Sequence, residues 1–112
     1  MIVKAINYLG KKIEDDEDFL LTADVFIGPE EEIYYYEVYR VYIISIKRLC
    51  RDFRDDDSDE VMLNRGWMIT KYLNEKAIKA KLESIVHSCE RLSNGTAEDT
   101  FRLIGSYLDH PE

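Results

Sequence analysis

The sequence predicts an α+β fold: an antiparallel sheet of about four strands with two or three helices packed on one face. Apolar residues recur at period two through the first half of the chain and at helical spacing through the second. A run of strands followed by a run of helices segregates into two layers. At 112 residues the chain supports one core, so residues 1–112 are expected to form a single domain.

The first strand is read over Ile2 to Leu9, with Ile2, Ile6 and Tyr8 on one side and Val3, Ala5 and Leu9 on the other. Gly10 and Lys11-Lys12 close it. Five successive acids, Glu14 to Asp18, then read as a loop, because like charges repel along any regular element. Phe19 to Ile27 is the clearest strand: Phe19, Leu21, Ala23, Val25 and Ile27 alternate with Thr22 and Asp24. Gly28-Pro29 breaks it, and Glu30-Glu31-Glu32 connects it to an antiparallel partner. That partner, Ile33 to Ile44, is rich in tyrosine and branched residues, which suit a pleated surface. Neither of its faces is cleanly apolar; the Tyr36/Val38/Ile44 face is taken as the buried one.

The period changes at Ser45, a candidate N-cap. Ile46, Leu49, Cys50 and Phe53 share one helical stripe. A second acidic run, Asp55 to Glu60, follows as a loop. Strand segments are read at Val61 to Leu63 and Trp67 to Tyr72. Asn74 caps a long helix to about Leu92, whose stripe is Ile78, Leu82, Ile85, Val86, Cys89 and Leu92. Thr96 with Asp99 forms a capping box with Asp in place of the usual Glu or Gln. It opens a last helix, about Ala97 to Leu108, that buries Phe101, Ile104 and Leu108.

The charge narrows the function classes. Twenty-three acidic against fifteen basic side chains leave −8 at neutral pH. Nucleic acid and anionic membrane both require cationic surface, so neither is an expected partner. No segment approaches the roughly 20 apolar residues of a membrane span, and the N-terminus lacks the apolar core of a signal peptide. The expected location is the cytoplasm. Cys50 and Cys89 belong to no CxxC pair and are read as buried thiols.

Catalytic groups are sparse. His87 and Glu83 share a helical face at i, i+4, which is commoner as a surface ion pair than as the start of a metal site. No GxGxxG, Walker or HExxH pattern occurs. No enzyme activity, metal, cofactor or small-molecule ligand is expected, and a monomer is expected rather than a homodimer. A small enzyme or ligand-binding domain, with a pocket between sheet and helices, is the second reading. A regulatory module pairing through its tyrosine strand is the third.

Binding has the stronger basis. The acids concentrate in three runs, at 14–18, 30–32 and 55–60. A concentrated negative field accelerates encounter with a basic partner, and aromatic side chains beside it supply interface anchors. The candidate partner-binding residues are Asp55, Asp56, Asp57, Asp59 and Glu60, with Glu14, Asp15, Asp16, Glu17 and Asp18 assisting and Tyr35 and Tyr39 as anchors.

Four segments are similar in pattern and order to one known family. They are Phe19 to Gly28, the Tyr36-Glu37-Val38 strand leading to Leu49, Arg65-Gly66-Trp67 through Tyr72 to Asn74, and Ile78 through Ile85-Val86 to Cys89. The chain resembles the immunity protein 8 family of bacterial polymorphic toxin systems, which includes immunity proteins of contact-dependent growth inhibition. The resemblance implies a cytoplasmic antidote that binds and neutralises the C-terminal toxin domain of a cognate effector, often a nuclease. A basic nucleic-acid groove on such a toxin would complement this acidic chain.

Overall fold

Phe19, Leu21, Ala23, Val25 and Ile27 are all fully buried, and every other structural feature is arranged around this row. The computed structural model describes residues 1–55 and 65–111. Strands β1 (Ile2–Asp15), β2 (Asp18–Gly28), β3 (Glu37–Ser45) and β4 (Trp67–Thr70) form one sheet in the order β1-β2-β3-β4. Helix α1 (Ile46–Asp55) lies between β3 and β4, and α2 (Glu75–Leu92) and α3 (Ala97–Ile104) follow. The fold is α+β, as the sequence predicts.

Three features of the sheet differ from expectation. First, β1 continues through Glu14 and Asp15, and the acidic run is the tip of a tight hairpin rather than an irregular loop. Ladder pairing with the apolar start of β2 outweighs the repulsion along the run. Register shifts between Val3 and Ala5 and between Tyr8 and Gly10 reverse the alternation. Val3, Ile6 and Tyr8 therefore share the core side, against the expected grouping.

Second, β3 starts at Glu37, and the face it buries is Tyr39, Val41 and Ile43. In register these oppose Val25, Ala23 and Leu21. The Tyr36/Val38 side forms the other face, although Ile44 there is also buried. The two faces are about equally apolar, so the choice is made by which one meets α2 and α3. Tyr39 fits inside because its hydroxyl reaches the Phe101 carbonyl oxygen at 3.0 Å and Glu37 Oε2 at 3.1 Å.

Third, β4 pairs with β3 in parallel, Tyr42 beside Trp67 and Ser45 beside Thr70. A parallel neighbour needs a crossover rather than a hairpin, and the segment containing α1 provides it. The β3 edge below β4 is closed by Gly66 and the C-terminal tail. The Tyr42 amide donates to the Gly66 carbonyl at 2.8 Å, and Arg40 and Asp109 exchange both main-chain bonds at 2.7 and 3.1 Å. The expected strand at Val61 to Leu63 falls outside the described residues.

Helices α2 and α3 cover the core face, where Ile78, Leu82, Val86, Cys89, Phe101, Ile104 and Leu108 join the sheet residues in one cluster. Both N-caps form as the sequence predicts, Asn74 Oδ1 accepting from the Ala77 amide and Thr96 Oγ1 from the Asp99 amide. The reciprocal half of the capping box does not form: the Asp99 carboxylate accepts from the Asn94 amide instead of the Thr96 amide. Helix α3 ends at Ile104, and Leu108 reaches the core from the turn beyond it. Leu92, at the end of the α2 stripe, is exposed. Ser45 caps α1 by accepting from the Arg48 amide at 3.2 Å, and it also accepts from Phe19 N–H. The α1 stripe is not buried, however: Ile46, Cys50 and Phe53 are exposed. Cys89 is buried as expected, and burial pushes its thiol up; Cys50 is exposed, and both thiols are free.

Candidate functional site

The hairpin tip places Glu14, Asp15, Asp16 and Glu17 on the surface at one end of β2. Helix α1 comes to the same end and brings cations with it. Arg51 forms two hydrogen bonds with Asp18, one of them at 3.1 Å between Nη2 and Oδ1, and Lys47 lies 4.0 Å from Asp15. The tip is therefore a partly neutralised cluster. Asp18 is buried and committed to Arg51, so it presents no charge to a partner. Its place in the register, alternating with Phe19, sets α1 against the sheet face that α2 and α3 leave uncovered.

Asp55 is the last residue of α1. Asp56, Asp57, Asp59 and Glu60 lie outside the described residues. Tyr39, nominated as an anchor, is fully buried and cannot offer its ring to a partner. Burial, with the neighbouring Glu37 carboxylate, raises its hydroxyl well above the ordinary tyrosine range. It is a core residue whose polar end is satisfied internally.

The third acidic run behaves differently. Residues 29–36 connect β2 to β3 at the end of β2 opposite the hairpin tip, roughly 33 Å away for eleven strand residues. Two successive turns shape this connection, with the Glu32 amide on the Pro29 carbonyl and the Tyr35 amide on the Glu32 carbonyl, each at 3.3 Å. Lys4 Nζ donates to the Glu32 carbonyl. The chain then folds back over Gly28 so closely that a Cβ there would lie 2.1 Å from the Tyr35 carbonyl oxygen.

Two tyrosines pin the connection from either side. The Tyr35 ring meets Phe101 edge-on at 5.6 Å, toward α3, and the Tyr36 ring meets Phe26 at 5.4 Å on the uncovered sheet face. Immediately before these anchors, Ile33 and Tyr34 point outward, 76% and 93% exposed. Glu30, Glu31 and Glu32 stand exposed beside them, and none has an ion-pair partner among the described residues. Ile33 and Tyr34, expected at the start of the strand, lie instead in this connection. The available signal was Pro29 followed by three acids, which delays strand entry.

No family model matches the chain, and no curated protein or solved structure matches it.

The remaining candidate chemistry is limited. His87 Nε2 lies 3.9 Å from Glu83, both on the α2 surface, and no group of three or more potential metal ligands occurs among the described residues. No helix among them is long and apolar enough to cross a membrane. An apolar groove of about 380 Å³ lies between β4, α2 and the turn after α3, with Lys81 at its edge.

Proposed function

We propose that this chain is an immunity-type binding protein, a stoichiometric inhibitor that occludes a basic site on a partner toxin domain, with a nuclease as the fitting class of partner. The single observation that carries the reading is the connection between β2 and β3. Large apolar side chains are presented to solvent there, among carboxylates with no ion-pair partner among the described residues, on a segment pinned by Tyr35, Tyr36 and Lys4. Adjacent exposed Ile and Tyr side chains make an apolar patch rimmed by charge, the kind of surface that marks interaction sites, and aromatic side chains dominate interface energies. Fixing the segment beforehand reduces the entropy lost on association. Unopposed carboxylates favour a cationic partner. The resemblance to immunity proteins and the net charge support the same reading. The hairpin tip acts as a secondary contact, since Lys47 and Arg51 offset part of its charge.

The test is growth protection. In this reading the partner is the toxic domain encoded directly before this chain, and co-expression rescues the growth that the domain alone arrests. Ile33→Ala with Tyr34→Ala should weaken a one-to-one complex by roughly 30-fold, for about 2 kcal/mol of anchor energy. Tyr35→Ala should weaken it less, because that ring is already engaged with Phe101. If the double variant protects fully and binds as tightly as the parent, the connection is not the interface. If no adjacent product is toxic or bound, the immunity reading fails as a whole.

A further inference from the structure

We infer that the groove between β4 and α2 is a binding site for a small apolar monocarboxylate, with Lys81 as the group that holds the carboxylate. The groove has about 380 Å³ of open space, within the usual range for ligand sites. Its walls are mainly apolar, with Met68 from β4, Ile78 and Ile85 from α2 and Leu108 from the turn after α3, and Thr70, Asn74 and Lys81 supply polar groups. Ile78 and Leu108 belong to the core itself, so the groove is a cleft in the core that is open on one side. It also runs along all four residues of β4, the outer strand of the sheet.

The charge pattern selects the ligand. Lys81 is the one charged residue among the described residues lining the groove. It has no ion-pair partner among the described residues. Its helical neighbours at three and four positions are Ala77, Ile78, Ser84 and Ile85, so the helix supplies no carboxylate. Lys76 and Lys79 of the same helix also have no ion-pair partner among the described residues, so what singles out Lys81 is its place beside the cleft. A ligand with an apolar body and one carboxylate satisfies both at once: the body enters the cleft, and the charge stays at the rim with the lysine. A neutral ligand leaves Lys81 unpaired, and a cationic one is repelled by it.

This inference is independent of the immunity reading, because no residue of the groove belongs to the connection between β2 and β3. The experiment titrates the full chain with decanoate, with decanol and decylamine as the neutral and cationic counterparts. Calorimetry gives affinity, and methyl NMR reports location. Decanoate should shift the methyl signals of Met68, Ile78, Ile85 and Leu108, and decanol should bind roughly fivefold more weakly, as expected for one partly exposed charge pair. Lys81→Gln, at an exposed position, should lower decanoate to the level of decanol and leave decanol unchanged. Ala77→Trp, which adds bulk at the exposed wall without altering charge, should abolish both. Equal affinity for decanoate and decanol, no effect of Lys81→Gln, methyl shifts away from the groove, or no binding of decanoate would each overturn the proposal.

Discussion

Asp99 joins three parts of one helix end. Its carboxylate accepts from the Asn94 amide at 2.9 Å and from Arg102 Nη2 and Nε at 2.8 and 3.0 Å, while its own amide donates to Thr96 Oγ1. The shorter side chain explains the departure from the usual capping box: it bonds to Asn94 N–H, and Asn94 Oδ1 takes the Thr96 amide instead. The Asn94 amide first, and then Arg102, hold this carboxyl below the ordinary value of 3.8. A depressed folded pKa contributes stability that is present above the unfolded value and is lost as pH falls through the folded one. Unfolding measured by circular dichroism should therefore show a steeper loss of stability below about pH 4 in the parent than in Asp99→Asn. Parallel acid limbs for the two proteins would remove Asp99 as a source of acid sensitivity. Tyr39 and Asp18 make a related point. Composition assigns a charged group and a tyrosine next to acids to the surface, but both are inside because each finds a polar partner there. That partner is a main-chain carbonyl for Tyr39 and Arg51 for Asp18, and neither pairing is visible in local sequence.

At the scale of elements, periodicity was legible wherever one face was clearly more apolar than the other. Strand β2 and the α2 stripe through Ile78, Leu82, Val86 and Cys89 follow from spacing alone, and Asn74 and Thr96 mark their helix starts. What spacing could not supply was pairing. The length of β1 is set by its ladder with β2, the buried face of β3 by contact with α2 and α3, and the parallel sense of β4 by the crossover through α1. Gly66 is where that crossover rejoins the sheet. Its φ of +81° lies in the left-handed region, and an added Cβ would come within 2.9 Å of the Asp109 amide nitrogen and 3.0 Å of the Arg40 carbonyl oxygen. Gly95 has a φ of +94° but opens onto empty space. Both carry the conformational cost of a side chain at positive φ, about 1 kcal/mol, and Gly66 adds steric crowding. Gly66→Ala should thus cost about 2 kcal/mol or more in urea unfolding, clearly above Gly95→Ala. Equal costs at the two positions would mean that the tail moves aside freely and does not hold the β3 edge.

Over the whole molecule, the two acidic runs among the described residues, at 14–18 and 30–32, lie at opposite ends of β2 rather than in one continuous field. The candidate site was legible in part: acidic runs next to aromatics pointed to a binder, and Tyr35 is in the segment that now carries the proposal. The difference between the ends was not legible, because it depends on where α1 delivers Lys47 and Arg51. That difference separates local from global electrostatics experimentally. Reversing Glu30, Glu31 and Glu32 to lysine moves the charge by two at each position, from −8 to −2, and reversing Glu14, Asp16 and Glu17 does the same. All six side chains are exposed, so both variants should keep the parent's unfolding curve. If association depended on net charge, the two would slow equally. The unopposed end should instead dominate, with the reversal at 30–32 lowering the association rate at low salt by roughly tenfold and the tip reversal lowering it distinctly less. The difference should shrink as ionic strength rises and the Debye length falls below the spacing of the charges. Stopped-flow association at several salt concentrations measures both quantities. Equal slowing would return the interface to the molecule's total charge, and a larger effect at the tip would move it to the hairpin end.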